Sequence, residues 1–311
     1  MPRVGKKSIA GRLGRQSGNP IIPSPISSII AAETDQGPEM RTPLLRQWRE
    51  LTGRFPVSYF ANFTRGGLVH DTDADVIQDL LMAAPKNSPL DLILESPGGY
   101  PLSAERIVKV CKTYSSNFRV VVPQRAKSAA TMISMGAHGI LMGPAAELGP
   151  IDPQYPYKDR YGDTQFASVF AILEGIKELL GKIQSAPADA RIEGLLSMLP
   201  PFDQAAVVEM RRAQQLAEEL AIQWCAEMPK HRGKKKAAIK TAIKIFLDPE
   251  QTFSHGRPID AGRAKVAGLP VAVLSADTDE WRLLHALAMR SRRNVARYSK
   301  TIETCEVSFY S

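Results

Sequence analysis

The alternation of apolar and polar positions divides the chain into short strands and amphipathic helices from about residue 57 onward. The runs VSYFANF, LDLILE, FRVVV and GILMG are short and rich in apolar residues, as buried strands are. Between them, DADVIQDLLMAA, LSAERIVKVCKTY and SAATMISMGA carry apolar residues at helical spacing. This regular exchange of strand and helix predicts an α/β fold with a largely parallel sheet.

The pattern changes at both ends and in one internal segment. Residues 1–45 are rich in Gly, Pro and Ser without a sustained period, which predicts a flexible, basic N-terminal arm. Residues 165–245 contain three helical patterns, which predict a helical segment added to an α/β domain over 46–275. Residues 276–311 are predicted to form a C-terminal helix and tail.

Composition limits the classes of function. The formal net charge is +8, with basic clusters at the N-terminus, at 230–240 and at 290–300. No aromatic stacking platform or zinc-finger spacing accompanies them, so solvated faces are predicted rather than a nucleic-acid site. No apolar stretch reaches the ~18–20 residues of a membrane-spanning helix. The three scattered cysteines favour reduced thiols, the cytoplasm and no metal site.

Two strand-to-helix turns carry candidate chemistry. After FRVVV, the stretch PQRAKSAAT places Ser128 at a helix start, where free amides favour negative charge. After LDLILE, the stretch SPGGY offers Gly98 and Gly99 for a close approach of backbone to a ligand. An amide from this glycine pair and the amide of Ala129 are candidate donors to the oxyanion of an acyl-transfer intermediate. Each turn alone also fits a structural role, as a helix-capping serine and a glycine turn.

Four motifs in order carry a family resemblance. The stretches ESPGG, KSAATMISMGAHGILMG, LGPIDPQ and SHGRPIDAGRAKVAGLPV resemble the serine dehydrogenase proteinase family of the ClpP/crotonase superfamily, related to signal peptide peptidase A and Clp protease. The resemblance covers residues 57–157 and 250–275. It implies a ClpP/crotonase-like ββα spiral and a homo-oligomer such as a trimer, tetramer or hexamer. It also implies hydrolysis of peptide bonds in a protein or peptide substrate, without metal or cofactor.

The resemblance also implies catalytic residues. Ser128 is the nucleophile, and in a Ser, Asp, His triad the matching partners are Asp152 of GPIDPQ and His255 of FSHGRP. Signal peptide peptidase A uses a lysine base instead. Lys177 and Lys182 lie 49 and 54 positions past the serine, so a Ser–Lys dyad stays open. Simpler roles also fit: an Asx turn for the aspartate and a solvated helix face for both lysines.

Two other classes of function share this fold. A crotonase-type acyl-CoA enzyme has the same backbone oxyanion hole, and a catalytically idle assembly or scaffold protein would keep the fold without the chemistry. Ser128 at a helix start favours the peptidase over the acyl-CoA enzyme, whereas only covalent labelling of the serine would exclude the scaffold.

Overall fold

The computed structural model describes most of the chain, namely residues 30, 33, 37–64, 66–158, 161–162, 164–187, 193–196, 204–248 and 257–311. The chain divides into two compact units, Met1–Thr34 and Asp35–Ser311, and the elements named below belong to the second.

Strand and helix alternate through the first half of this unit, as the sequence predicts. The described strands are β1 Phe55–Ala61, β2 Leu90–Glu95, β3 Phe118–Val122, β4 Arg125–Ala126, β5 Gly139–Met142, β6 Glu147–Leu148, β7 Gln154–Lys158, β8 Thr164–Ser168, β9 Ile259–Asp260, β10 Val271–Val273, β11 Lys300–Glu303 and β12 Ser308–Tyr310. The described helices are α1 Thr42–Thr52, α2 Asp71–Met82, α3 Pro101–Tyr114, α4 Ala129–Gly136, α5 Val169–Gln184, α6 Glu193–Leu196, α7 Gln204–Glu227, α8 Lys236–Ala242, α9 Lys244–Leu247, α10 Ala261–Val266 and α11 Asp279–Val295. A short 3-10 helix, Pro38–Met40, precedes α1.

The central sheet has seven strands in the order β10-β5-β3-β2-β1-β11-β12. Neighbours from β10 to β1 are parallel, whereas β11 and β12 add to the β1 edge in antiparallel orientation. A small sheet, β4-β6-β9, follows the carboxyl end of β3, and β7 pairs with β8 as a hairpin. The carboxyl ends of parallel strands in such sheets are where ligands bind.

Successive strand residues face opposite sides of the sheet, and both sides are covered. Leu92 and Val120 belong to the core shared with α2, α3, α4 and α7. Ile93 and Val121 belong to a second core, formed with Trp48 of α1 and with α11. Burial on both faces explains the nearly continuous apolar runs of β2 and β3. The predicted α/β fold with a largely parallel sheet is confirmed.

The added helical segment is also present. Helices α5 to α9 fall within or next to the predicted range, and α7 packs on the core through Leu220, Ala221 and Cys225. The hairpin β7–β8 is not predicted by the sequence pattern. It delays the first helix of the segment to Val169, because Ser168 ends the strand and caps α5 by accepting a hydrogen bond from the amide of Ala171 at 3.1 Å.

Both ends of the second unit pack on the sheet. Residues 37–45, which composition places in the arm, include the 3-10 helix and the start of α1, and Arg41 forms a buried ion pair with Glu303 at 2.8 Å. The predicted C-terminal tail supplies β11 and β12. None of the helices in the described part of the chain combines the length and apolar character that a membrane span requires.

Candidate active site

Ser128 lies at the turn between β4 and α4 with a backbone conformation that is rare for a serine. Its φ is +47° and its ψ is −116°, and few residues other than glycine adopt a positive φ. A serine that only caps a helix has extended backbone and accepts a hydrogen bond from an amide of the first turn. Ser128 makes no such cap bond to its helix. Because strained residues cluster at functional sites, this conformation supports a role for the hydroxyl beyond capping.

The glycine turn after β2 lies directly against this serine. Gly98 has a φ of +115°, and a Cβ added there would lie 2.6 Å from the Cβ and 3.1 Å from the Oγ of Ser128. The first distance is shorter than any that real side chains show, so residue 98 must be a glycine. The structure thus brings together the two turns that the sequence singles out.

The glycine turn is held in place by the backbone of one residue that precedes α2. The amide of Val69 donates to the carbonyl of Gly98 at 2.7 Å, and the amide of Tyr100 donates to the carbonyl of Val69 at 3.1 Å. A Cβ at Gly99 would lie 2.3 Å from both the amide nitrogen and the carbonyl oxygen of Val69. Val69 carries no sequence signal for this role, because it acts through backbone atoms alone.

The three candidate oxyanion donors are not equivalent. The amide of Gly98 donates to the Oγ of Ser96 at 3.1 Å, so its hydrogen is already engaged. The amide of Ala129 is the first of α4, and the first amides of a helix have no acceptor within it. Among the described residues, no acceptor is assigned to the amides of Gly99 and Ala129. These two amides are therefore the donors available to a ligand.

Asp152 lies in a segment that is bound to α5 by its own side chain and to α4 through Gly149. Its side chain is buried, and Oδ1 accepts a hydrogen bond from the amide of Phe170 in the first turn of α5 at 3.2 Å. Thr131 joins its segment to α4, because the hydroxyl of Thr131 donates to the carbonyl of Ala126 at 2.7 Å and accepts from the amide of Gly149 at 3.0 Å. Thr131 is another residue that the motifs alone do not indicate.

The candidate bases differ in what the structure describes. His255 lies outside the described residues. Lys177 and Lys182 extend from α5 with side chains 77% and 56% exposed, and they form ion pairs with Glu174 at 3.4 Å and Glu178 at 2.6 Å. A lysine that acts as a base near neutral pH needs burial to lower its pKa. The exposure of both lysines does not meet that requirement.

Lys127, the residue before the nucleophile, is engaged by the two residues of β6. Its ammonium group pairs with Glu147 at 2.6 Å and donates to the carbonyl of Leu148 at 3.3 Å. Lys127 thereby links β4 to β6. Within the described ranges, no three His, Cys, Asp or Glu side chains come together in a way that could hold a metal ion.

The sequence around this site is similar to known proteins. Residues 68–192 match the family model described as ClpP-like SDH-type serine proteinase. This match confirms the family resemblance that the motifs indicate. The word ClpP-like in the name of the family agrees with the predicted fold. The matched segment contains Ser128, the glycine pair and Asp152, ends before His255, and covers less than half of the chain.

Two curated relatives come from Methanocaldococcus jannaschii. Uncharacterized protein MJ0137 is 44% identical over 82 residues, which are 26% of this chain and 29% of that protein. Uncharacterized protein MJ1495 is 34% identical over 82 residues, 26% of this chain and 28% of that protein. The chain thus spans less than a third of the length of either relative. Among solved structures, a ClpP1 mutant from Listeria monocytogenes aligns with a TM-score of 0.42 and 12% identity, over 76% of this chain and 99% of that chain.

Proposed function

We propose that this chain is a serine peptidase that hydrolyses peptide bonds through an acyl-enzyme on Ser128. The observation that carries the proposal is the strained serine, which lies against Gly98 and does not cap its helix. Such a conformation is costly, and a nucleophile at a sharp strand-to-helix turn is a known use for it. The family match over residues 68–192 supports the same class of enzyme.

The arrangement supports a two-step acyl transfer. The Oγ of Ser128 attacks the carbonyl carbon of the substrate while the base removes its proton, and the carbonyl oxygen becomes an oxyanion that accepts hydrogen bonds from the amides of Gly99 and Ala129. The C–N bond then breaks, and the base returns the proton to the leaving amine. A water molecule repeats the sequence on the acyl-enzyme, which releases the acid and restores the serine hydroxyl.

We assign the base to His255 and its orientation to Asp152, as the family resemblance implies. A buried carboxylate such as that of Asp152 fits the orienting role, because such a group holds the imidazole in the correct tautomer without taking its proton. The exposure of Lys177 and Lys182 supports this choice over the dyad.

The remaining parts of the proposal concern partners and location. A protein or peptide substrate and a homo-oligomer follow from the family resemblance, with no cofactor, whereas the cytoplasm follows from the cysteine usage. The basic run 230–240 does not favour nucleic acid, because Lys236 and Lys240 pair with Glu219 and Glu218 of α7. The buried, unpaired thiols of all three cysteines support a reducing compartment.

Covalent labelling tests the proposal. A fluorophosphonate probe is expected to add one label to the wild-type chain and none to Ser128→Ala, as measured by intact mass. Thr278→Ala is the matched control, because Thr278 caps α11 by accepting a hydrogen bond from the amide of Trp281 at 3.2 Å and has no part in the proposed site. A folded wild-type chain that takes no label, or label that persists in Ser128→Ala, contradicts the proposal. A thermal shift caused by acyl-CoA in the unlabelled chain would then indicate a crotonase-type enzyme, and its absence a scaffold.

A further inference from the structure

A cavity of about 360 Å³ lies beside the site, at the carboxyl ends of β1 and β2 and next to the last turn of α11. Its charged lining residues are Glu95, Arg125 and Arg292, and its aromatic one is Phe63. Nothing in the chemistry described above uses this cavity.

The two arginines of the cavity differ in charge compensation. Arg292 is neutralised, because its guanidinium donates two hydrogen bonds to the carboxylate of Glu95 at 2.6 and 2.7 Å. Arg125 has no carboxylate within ion-pair distance among the described residues, so it leaves the cavity with one uncompensated positive charge. Its Nε is buried and has no hydrogen-bond partner in the described part of the protein.

The guanidinium of Arg125 is nevertheless held in a defined place. Its central carbon lies 4.1 Å from the centre of the Phe63 ring, which is within the range of a cation–π contact. A positioned guanidinium presents a planar fork of donors that matches a carboxylate, and a buried donor without a partner is costly. The cavity therefore fits a ligand that carries a carboxylate.

The cavity and the nucleophile share one short piece of backbone. Arg125 precedes Ser128 by three residues, so their Cα atoms are at most about 11 Å apart. The strand of Arg125 is tied to the glycine turn, since the amide of Ser96 donates to the carbonyl of Arg125 at 3.3 Å and the amide of Lys127 donates to the carbonyl of Ser96 at 3.0 Å. A peptide chain covers this distance in about three residues.

We propose that Arg125 makes this cavity a subsite for a carboxylate of the peptide substrate. The carboxylate belongs either to an Asp or Glu side chain near the cleaved bond or to the C-terminus of the peptide. This inference rests on the proposed peptidase function, because it names the class of substrate that the same site prefers.

Binding to Ser128→Ala tests the subsite without depending on hydrolysis. Four N-acetylated, alanine-rich octapeptides are compared by isothermal titration calorimetry: one with a central glutamate and one with a central glutamine, each as free acid and as C-terminal amide. At least one carboxylate peptide is expected to bind about tenfold more tightly than the glutamine amide, as hydrogen bonds to a charged group would give. A preference for the glutamate amide identifies a side-chain carboxylate, and a preference for the glutamine acid identifies the terminal one.

Substitution of the arginine assigns the preference to this cavity. Adding Arg125→Gln is expected to abolish the difference between the peptides, and Arg125→Lys to restore part of it by keeping the charge. Arg282→Gln is the matched control, because this substitution removes the same charge from an exposed position. Arg282 pairs there with Asp279 at 3.0 Å. Peptides that differ by less than twofold, or a preference that survives Arg125→Gln, overturn the subsite.

The two proposals fail in different ways. If the probe labels the wild-type serine but no carboxylate preference is found, the subsite is wrong and the peptidase stands. If the preference is found but labelling is not, the carboxylate site stands and the peptidase is wrong.

Discussion

Replacing Gly98 with alanine isolates the contact between the two turns. The added Cβ would lie 2.6 Å from the Cβ of Ser128, about 0.8 Å short of the 3.4 Å at which ordinary contact begins. It would also lie 3.0 Å from the carbonyl oxygen of Lys127. Either the serine or the glycine turn must therefore move by most of an ångström, and both form part of the proposed site. A misplacement of about 1 Å costs a reaction about 100-fold in rate.

The same substitution also has a backbone cost, which a control can separate from the contact. An alanine at φ of +115° loses stability because positive φ is unfavourable for a residue with a Cβ, by about 1–2 kcal/mol or more. Gly53 also has a positive φ, +67°, but an added Cβ there meets no atom within 4 Å. Gly53→Ala is therefore expected to lower the free energy of unfolding without affecting Ser128.

Two measurements on each variant separate the backbone cost from the loss of the contact with Ser128. The free energy of unfolding is obtained from denaturant titration, and the rate of fluorophosphonate labelling from intact mass over time. We expect both variants to be destabilised, but only Gly98→Ala to label about 100-fold more slowly. A Gly98→Ala protein that is folded and labels at the wild-type rate would refute the inferred contact between the glycine turn and the nucleophile.

Four further substitutions test other parts of the site and of the fold. Gly99→Val should also slow labelling, since even a Cβ there would lie 2.3 Å from the facing backbone, while the elution volume in size-exclusion chromatography stays that of the wild type. Full labelling would contradict the assigned turn. His255→Ala should abolish labelling, whereas Asp152→Asn should leave a measurable remnant. The labelling rate of the wild type should rise with pH through a midpoint near ~6.5. An active His255→Ala would indicate a lysine base instead. Lys300→Met should lower the free energy of unfolding by about 3–5 kcal/mol, because the buried carboxylate of Asp73 would lose its ion-pair partner and keep only the neutral donors of Tyr59 and His70. A loss below about 1 kcal/mol would show that the pair is dispensable.

The sequence predicts the parallel part of the sheet well and its antiparallel edge poorly. Strands such as β2 and β3 are buried on both faces, so their apolar runs identify them directly. The strand β11, KTIE, is fully buried as well, yet three of its four residues are polar. Its ends, Lys300 and Glu303, are buried only because Asp73 and Arg41 neutralise them. Such partners are distant in sequence, and no local pattern reveals them.

The site shows a similar division. The sequence motifs point to Ser128 and the glycine turn because their residue types are unusual at a strand-to-helix junction. They do not separate the roles of Gly98 and Gly99, since that depends on which amide the Ser96 hydroxyl engages. They also do not indicate Val69, whose backbone holds the turn, or Arg125, whose contact with Phe63 and lack of a carboxylate partner among the described residues depend on the fold.

The C-terminal segment is bound to the site by charge as well as by packing. Arg292 of α11 neutralises Glu95, which immediately precedes the glycine-turn sequence, and Lys300 of β11 neutralises Asp73, which caps the helix after Val69. A buried carboxylate that loses its ion-pair partner costs several kcal/mol, so removing this segment would destabilise the sheet at both acids. The pair with Glu95 leaves Arg125 as the charged residue of the cavity lining without a carboxylate partner among the described residues. The segment therefore contributes to the electrostatics of the site through residues that do not contact the nucleophile.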